Sequence, residues 1–455
     1  MAFTRRQVLV GLSALGVAGL GVGGVRYWLG RAENQASHDY ELIAAPLDVE
    51  LVPGHITPAW GYAGQVPGLE IRARQGDWLR VRFINHLDEP TTIHWHGIRL
   101  PLEMDGVPYV SQLPVLPGEY FDYCFKTEDA GNFWYHPHLS SAEQLGRGLV
   151  GPLIVEEREP TGFAHERTLS LKTWHIDEQG AFTAFSVPRE AAREGTRGRL
   201  TTINGKPAPE LELPAGQVVR LRVLNLDNTV TYKLNLPGAD ARLYALDGHP
   251  IEPRALGKDY WMGPGMRIDL AVRVPEAGVE LSLRNGPLRL ATLKSVASAE
   301  VAGDWPPRMP ANPVAEPDLE RAEVLRFNFE WSARLASASD NGPAKYWQIN
   351  GQAWDINDKT CADRPIASLK RDGHYIFELR NMAQYLHPIH LHGLAFKVIS
   401  SNRKKIIPYF TDTYLLGKNE VARIAFVADN PGIWMFHCHV IDHMETGLMA
   451  AIEVA

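Results

Sequence analysis

Cysteine is nearly missing: 455 residues hold three, Cys124, Cys361 and Cys438. That is too few for a disulfide framework, and the 45% apolar fraction supplies an ample core instead. Whether Cys124 and Cys361 pair is left open, with free thiols the favoured state. Long basic runs are also absent, and the formal net charge is −7, which argues against a nucleic-acid partner. Sustained helical periodicity is scarce. In its place, 40 glycines and 32 prolines separate short alternating runs, as expected of an all-β chain with many turns.

The N-terminus is of another kind. "TRRQVLVGLSALGVAGLGVGGV" sets adjacent Arg5 and Arg6 before an uncharged, glycine- and alanine-rich stretch from Val8 to Val25. This is the pattern of a twin-arginine export signal. Residues 1–36 are therefore set apart from the fold, with the export machinery as partner and a periplasmic or secreted location expected. The stretch is just long enough to span a bilayer, but its glycines make a poor helix, so no stable membrane insertion is expected.

Beyond the signal, one pattern occurs three times: "RQGDWLRVRFINHL" from Arg74, "PAGQVVRLRVLNLD" from Pro214 and "KRDGHYIFELRNMA" from Lys370. Each has a glycine (76, 216 and 373), an alternating run and an asparagine. In the second copy Val219, Leu221 and Val223 face one way and Arg220 and Arg222 the other, predicting a half-buried strand. Repeats this long mean tandem domains. The expected architecture is three β-sandwiches over residues 40–157, 160–303 and 318–455, with the Pro-rich "GDWPPRMPANPVAEPD" as a stiff linker before the last.

Of 17 histidines, ten fall in four clusters. They are His94 and His96 in "HWHG", His136 and His138 in "HPH", His387, His390 and His392 in "HPIHLHG", and His437, His439 and His443 in "FHCHVIDHMETGLM". Two clusters lie in the first expected domain, two in the last and none between. In a strand, residues i and i+2 share a face about 7 Å apart, so two imidazoles can serve one metal or two adjacent ones. Histidine alone does not name the metal. Cys438 narrows the choice. Standing between His437 and His439, it faces the opposite side, and with His443 and one distant histidine it makes the His2Cys set of a blue-copper site. His387, which opens its cluster apart from the following H-x-H, is the expected third ligand. Eight imidazoles then remain, enough for three further ions.

These four motifs, in this order, resemble the copper-binding signatures of the multicopper oxidases, and the likeness spans nearly the whole chain beyond the signal. The resemblance implies three cupredoxin-like Greek-key sandwiches and four copper ions. His387, Cys438 and His443 would bind the type 1 ion, and His94 and His390 the type 2 ion. His96, His136 and His439 would bind one type 3 ion, and His138, His392 and His437 the other. The first and last domains then share a trinuclear site, while the middle one carries no ligand. The implied activity is laccase-like: four one-electron oxidations of a small reducing substrate (phenols, aromatic amines, or ions such as Mn(II) or Cu(I)) coupled to reduction of O2 to two waters. His443, near the surface in the family, would be the electron entry point.

Reduction of O2 consumes protons, and Asp105 stands where the family places an acid for them; its plainer role would be an Asp-Gly turn with Gly106. Two departures stand out. Leu448 occupies the position of an axial methionine and cannot ligate, which raises the oxidising power expected of the type 1 ion; the adjacent Met449 is expected to face away. Met444 replaces a glutamate common in bacterial relatives, and Glu445 is expected to face the wrong way to substitute. Nine methionines are spread along the chain without a rich segment, so a specialised cuprous-ion site is not indicated. A rival reading is a periplasmic copper-resistance protein with incidental oxidase activity. Non-catalytic relatives that have lost their ligands fit poorly, as do two-domain copper nitrite reductases.

Overall fold

The computed structural model describes residues 37–332 and 344–455, so the expected export signal lies outside the described residues. Strands dominate, grouped into three pairs of sheets with four and four, seven and five, and six and five strands. The strands of the three pairs run from Ser37 to Glu156, from His165 to Val296 and from Glu323 to Val454.

The threefold sequence pattern is built into the backbone. Each copy forms a strand, Trp78–Asn85, Val218–Asn225 or His374–Asn381. Each runs parallel to the opening strand of its own sandwich, Ser37–Val52, His165–Trp174 or Glu323–Trp331. The closing asparagines explain why this residue recurs. Asn85, Asn225 and Asn381 are buried, and the side-chain amide of each donates to two main-chain carbonyls while its oxygen takes the N–H two residues on. An apolar side chain there would strand buried backbone groups without partners.

Two details stand out, the second of which differs from the half-buried strand expected. In the third copy Asp372, not Gly373, takes the left-handed turn (φ 59) filled by Gly76 and Gly216 in the others; asparagine and aspartate tolerate that region better than most side chains. And the strand Val218–Asn225 is buried on both faces. Arg220 pairs with Asp269 and Glu157, and Arg222 with Glu166 and Glu157, so the middle sandwich presents charges to a carboxylate of the first rather than to water. Alternation marks two faces but not what covers them.

The linker is held rather than free. The Asn312 side chain bonds the main chain of Ala130 and Gly248, and Tyr244 donates to the Pro306 carbonyl, tying residues 306–312 to the first two sandwiches. Cys124 and Cys361 are free thiols. Among the described residues, no helix is long and apolar enough to cross a membrane.

Candidate metal centres

Four short strands carry the histidine motifs to one place. In the first sandwich His94–His96 pairs with Gly131–His136, setting His94 opposite His136. In the third, His387–Leu391 pairs with Gly432–Cys438, setting His390 opposite His437 and Ile389 opposite Cys438. All eleven predicted ligands are buried; His138, 7% exposed, is the most accessible.

Cys438 and its two histidines form a closed triangle. Cys438 Sγ lies 3.5 Å from both His387 Nδ1 and His443 Nδ1, and those nitrogens are 3.1 Å apart. His443 Nε2 donates to the Arg193 carbonyl at 2.8 Å, leaving Nδ1 a bare lone pair aimed at the sulfur and at His387. The Val440 N–H points at Sγ from 3.4 Å. Burial pushes the Cys438 thiol well up and drops His443 to about 3, so without a bound ion these side chains stay neutral. The indole of Trp347 packs over the triangle, its ring centre 4.4 Å from that of His443 and 5.0 Å from that of His387. Leu448 is buried in the same apolar cluster as Cys438, whereas Met449 belongs to a different one with Met435 and Met444.

The other eight imidazoles stand face to face across the first and third sandwiches. His138, His392 and His437 bring their donor atoms within 4.8 Å of one another, as do His94, His390 and His392, and also His94, His96 and His136. His439 stands beside that last group, its ring 4.8 Å from His96 and 5.3 Å from His136. Hydrogen bonds fix which nitrogen is free. His94, His136, His390 and His437 each have Nδ1 at 2.9 Å from a main-chain carbonyl, of Asp105, Pro137, Asp412 and Cys438 in turn. A carbonyl only accepts, so each Nε2 is an unprotonated lone pair. His392 Nδ1 donates to Asp105 Oδ2 at 2.9 Å, which leaves its Nε2 bare as well, 3.0 Å from the bare Nε2 of His437. Two lone pairs at that distance repel unless a Lewis acid joins them. The inward nitrogens of His94, His96, His136, His138, His390 and His439 have no protein partner. At roughly 1–3 kcal/mol for each unsatisfied buried group, this arrangement fits bound metal ions and little else. Burial drops the His96, His136, His138, His392, His437 and His439 imidazoles well below the ordinary value, keeping them neutral and ready to ligate.

Asp105 therefore does more than close a turn. Its carboxylate reaches His392 Nδ1 and, at 3.2 Å, His94 Nδ1, bridging one ligand from each sandwich. A second carboxylate, unforeseen in the sequence, mirrors it. Asp412 Oδ1 lies 3.3 Å from His96 Nε2 and 3.4 Å from His390 Nδ1. Burial would raise the Asp412 carboxyl, but the Arg267 guanidinium holds it well below the usual range through paired bonds of 2.6 and 2.8 Å. Arg267 belongs to the middle sandwich, which thus contributes to the cluster without supplying a ligand. The glycines around it follow from this contact. Gly97 of "HWHG" adopts φ +86, and a Cβ there would collide with the Arg267 guanidinium and the Asp412 carboxylate. One at Gly265 would sit 2.9 Å from the His439 ring. An aspartate flanked by threonines in a buried strand region, "FTDT", was the available signal for Asp412; nothing local pointed to Arg267.

Two expectations are corrected. His443 does not itself reach the surface: its exposure is 0%, with the Arg193 carbonyl over its Nε2. Nor does Glu445 turn away. It ends the helix Ile441–Glu445, accepts the Ala142 N–H at 2.9 Å, and lines a cavity of about 470 Å³ whose wall also includes Met444 and His138. A helix, not a strand, follows His439, so alternation does not govern which side Glu445 faces. Burial pushes its carboxyl up to about 7.

Comparison with known proteins agrees with this geometry. Two family models, each described as multicopper oxidase, match residues 47–160 and 330–455. A multi-copper oxidase structure from Pseudomonas thermotolerans superposes with a TM-score of 0.89 at 79% identity, covering 93% of this chain and all of that one. The multicopper oxidase mco of Staphylococcus aureus is 27% identical, covering 93% of this chain and 90% of its own. A copper resistance protein A homolog of Pseudomonas syringae pv. tomato is 24% identical, covering 99% of each.

Proposed function

The chain belongs to the multicopper oxidases, and from that premise we propose that its eleven clustered side chains hold four copper ions in an exported, laccase-like oxidase that reduces O2. It is a copper-dependent oxidoreductase. In the proposed assignment His387, Cys438 and His443 hold the type 1 ion and His94 and His390 the type 2 ion. His96, His136 and His439 hold one type 3 ion, and His138, His392 and His437 the other. Bound there, copper supplies one-electron transfer at the first site and four-electron reduction of O2 to two waters at the second.

The chain's own residues do the rest. Cys438 must lose a proton that burial would otherwise retain, so metal binding and thiol deprotonation are one event. Adjacent peptide bonds join its sulfur to the His437 and His439 imidazoles, a short covalent link between the two sites. Asp105 and Asp412 fix the tautomers of His392, His96 and His390, and such carboxylate–imidazole pairs orient ligands and raise their basicity. Asp105, buried against the cluster, is the proposed proton donor for O2 reduction. Phenols, aromatic amines, Mn(II) or Cu(I) are the proposed electron donors, and the periplasm or exterior the proposed location.

The observation that carries this reading is the pair of donor sets meeting at one strand end, with Cys438 in the triangle and His437 in the cluster. Copper loading should give about four ions per chain, an intense blue band with a near-ultraviolet shoulder, and oxygen uptake with a phenol, an aromatic amine or Mn(II). A colourless, metal-replete protein would overturn it. Similarity to a copper resistance protein over 99% of both chains favours a second role in copper tolerance. A copper-loaded, oxidase-dead variant that still restored tolerance to a deletion strain would select that role over oxidation.

A further inference from the structure

His443 is where an electron must enter if the type 1 assignment above holds, yet residues 187–196 of the middle sandwich lie across it. The Arg193 carbonyl takes the His443 Nε2–H, and the Ala191 carbonyl takes the Trp347 Nε1–H at 2.8 Å, so two successive contacts seat the segment on the pocket. Its far end is clamped as firmly. The Thr196 N–H donates to the Asp442 carboxylate, and the Val187 N–H donates to Thr196 Oγ1 at 2.7 Å. The Thr196 carbonyl accepts from His175 Nε2 at 3.0 Å and from the Thr229 hydroxyl at 2.6 Å. Gly195, at φ +90, lets the chain pass so close that a Cβ would stand 2.9 Å from methyls of Val440 and Thr229. The outer face carries exposed Arg189, Glu190, Arg193, Glu194 and Arg197.

We propose that residues 187–196 are a strap that bars donors from touching His443 and selects small, hydrophilic one-electron donors over bulky aromatic ones. A donor must stop at the charged outer face, at least one peptide unit from the imidazole, with the Arg193 carbonyl–His443 hydrogen bond as its bridge. A hydrated ion or compact anionic complex loses little there. A phenol, which gains affinity by burying its ring, meets charged side chains there instead. Each donor leaves oxidised by one electron, and four such electrons with four protons convert one O2 to two waters. The inference rests on the proposed type 1 assignment, and its test separates the two.

The test compares the full chain with a strap-shortened variant, residues 188–194 replaced by three glycines, and with Gly195→Val, which presses the strap off Val440 without deleting it. In metal-free protein, diethyl pyrocarbonate followed by peptide mass spectrometry reads access to His443. The expected result is protection in the intact chain and labelling at least about tenfold faster in either variant. In copper-loaded protein under argon, bleaching of the blue band by 2,6-dimethoxyphenol should quicken about tenfold, and that by hexacyanoferrate(II) by less than about twofold. Equal labelling in all three proteins, or equal acceleration of both donors, overturns the strap. Absence of a blue band from the intact chain overturns the copper assignment instead, and the labelling then decides the strap alone.

Discussion

The triangle around Cys438 and the cluster of eight imidazoles are built on opposite plans. The triangle takes every side chain from the third sandwich, from the strands His387–Leu391 and Gly432–Cys438 and the helix Ile441–Glu445 after them. The cluster takes four histidines from the first sandwich and four from the third, and its carboxylate Asp412 is fixed by Arg267 of the second. The triangle's donor atoms all come from one domain, the middle sandwich adding the Arg193 carbonyl that fixes the His443 tautomer, whereas the cluster's donor atoms meet only when the first and third domains dock. Docking is therefore tied more tightly to the cluster than to the triangle.

Removing the thiolate breaks the comparison most severely. Cys438→Ser should abolish the blue band and lower turnover by about 10³-fold or more, while the near-ultraviolet shoulder of the cluster persists; absorption spectra and oxygen uptake read both. Arg267→Ala tests the opposite side. It leaves Asp412 buried without its counter-ion, a loss of about 3–5 kcal/mol, so metal analysis should show the cluster depleted with the blue band retained. A blue band lost together with the cluster would show that the triangle also depends on domain docking. Asp105→Asn keeps the shape but cannot release a proton, and oxygen reduction should slow about 10²-fold with both absorption features intact. Unchanged turnover would remove the proposed proton role.

The smallest effect concerns acid. Burial depresses the folded-state pKa of the cluster imidazoles and of His443, so below the unfolded value of about 6.5 the unfolded chain binds protons that the folded chain refuses. Stability of the metal-free protein should therefore be full above that pH and fall progressively as pH drops from about 6.5 toward 4. Thermal unfolding across this range reads the slope, and a flat profile would mean the imidazoles are solvated in the apo state.

What could be read from the chain alone divides along the same line. The converging histidines and Cys438 were legible because each motif is local: H-x-H on a strand and Cys438 between two histidines are fixed by backbone period. The repeat was legible for the same reason, down to its closing asparagine. Arg220 and Arg222 were assigned to faces correctly, but the Glu157 and Glu166 that bury them lie over fifty residues away. Asp412, Arg267 and the segment over His443 act only across domain contacts, and no periodicity encodes those. Glu445 was misplaced because the chain changes from strand to helix within three residues of Cys438.

Trp347 gives the triangle an optical reporter of its own. Its indole is fully buried with its ring centre within 5.0 Å of those of both histidines, close enough for an open-shell ion to quench its fluorescence. The difference in emission between the native protein and Trp347→Phe would then follow filling of that pocket alone, unlabelled and in real time, even where the remaining eleven tryptophans obscure the total signal.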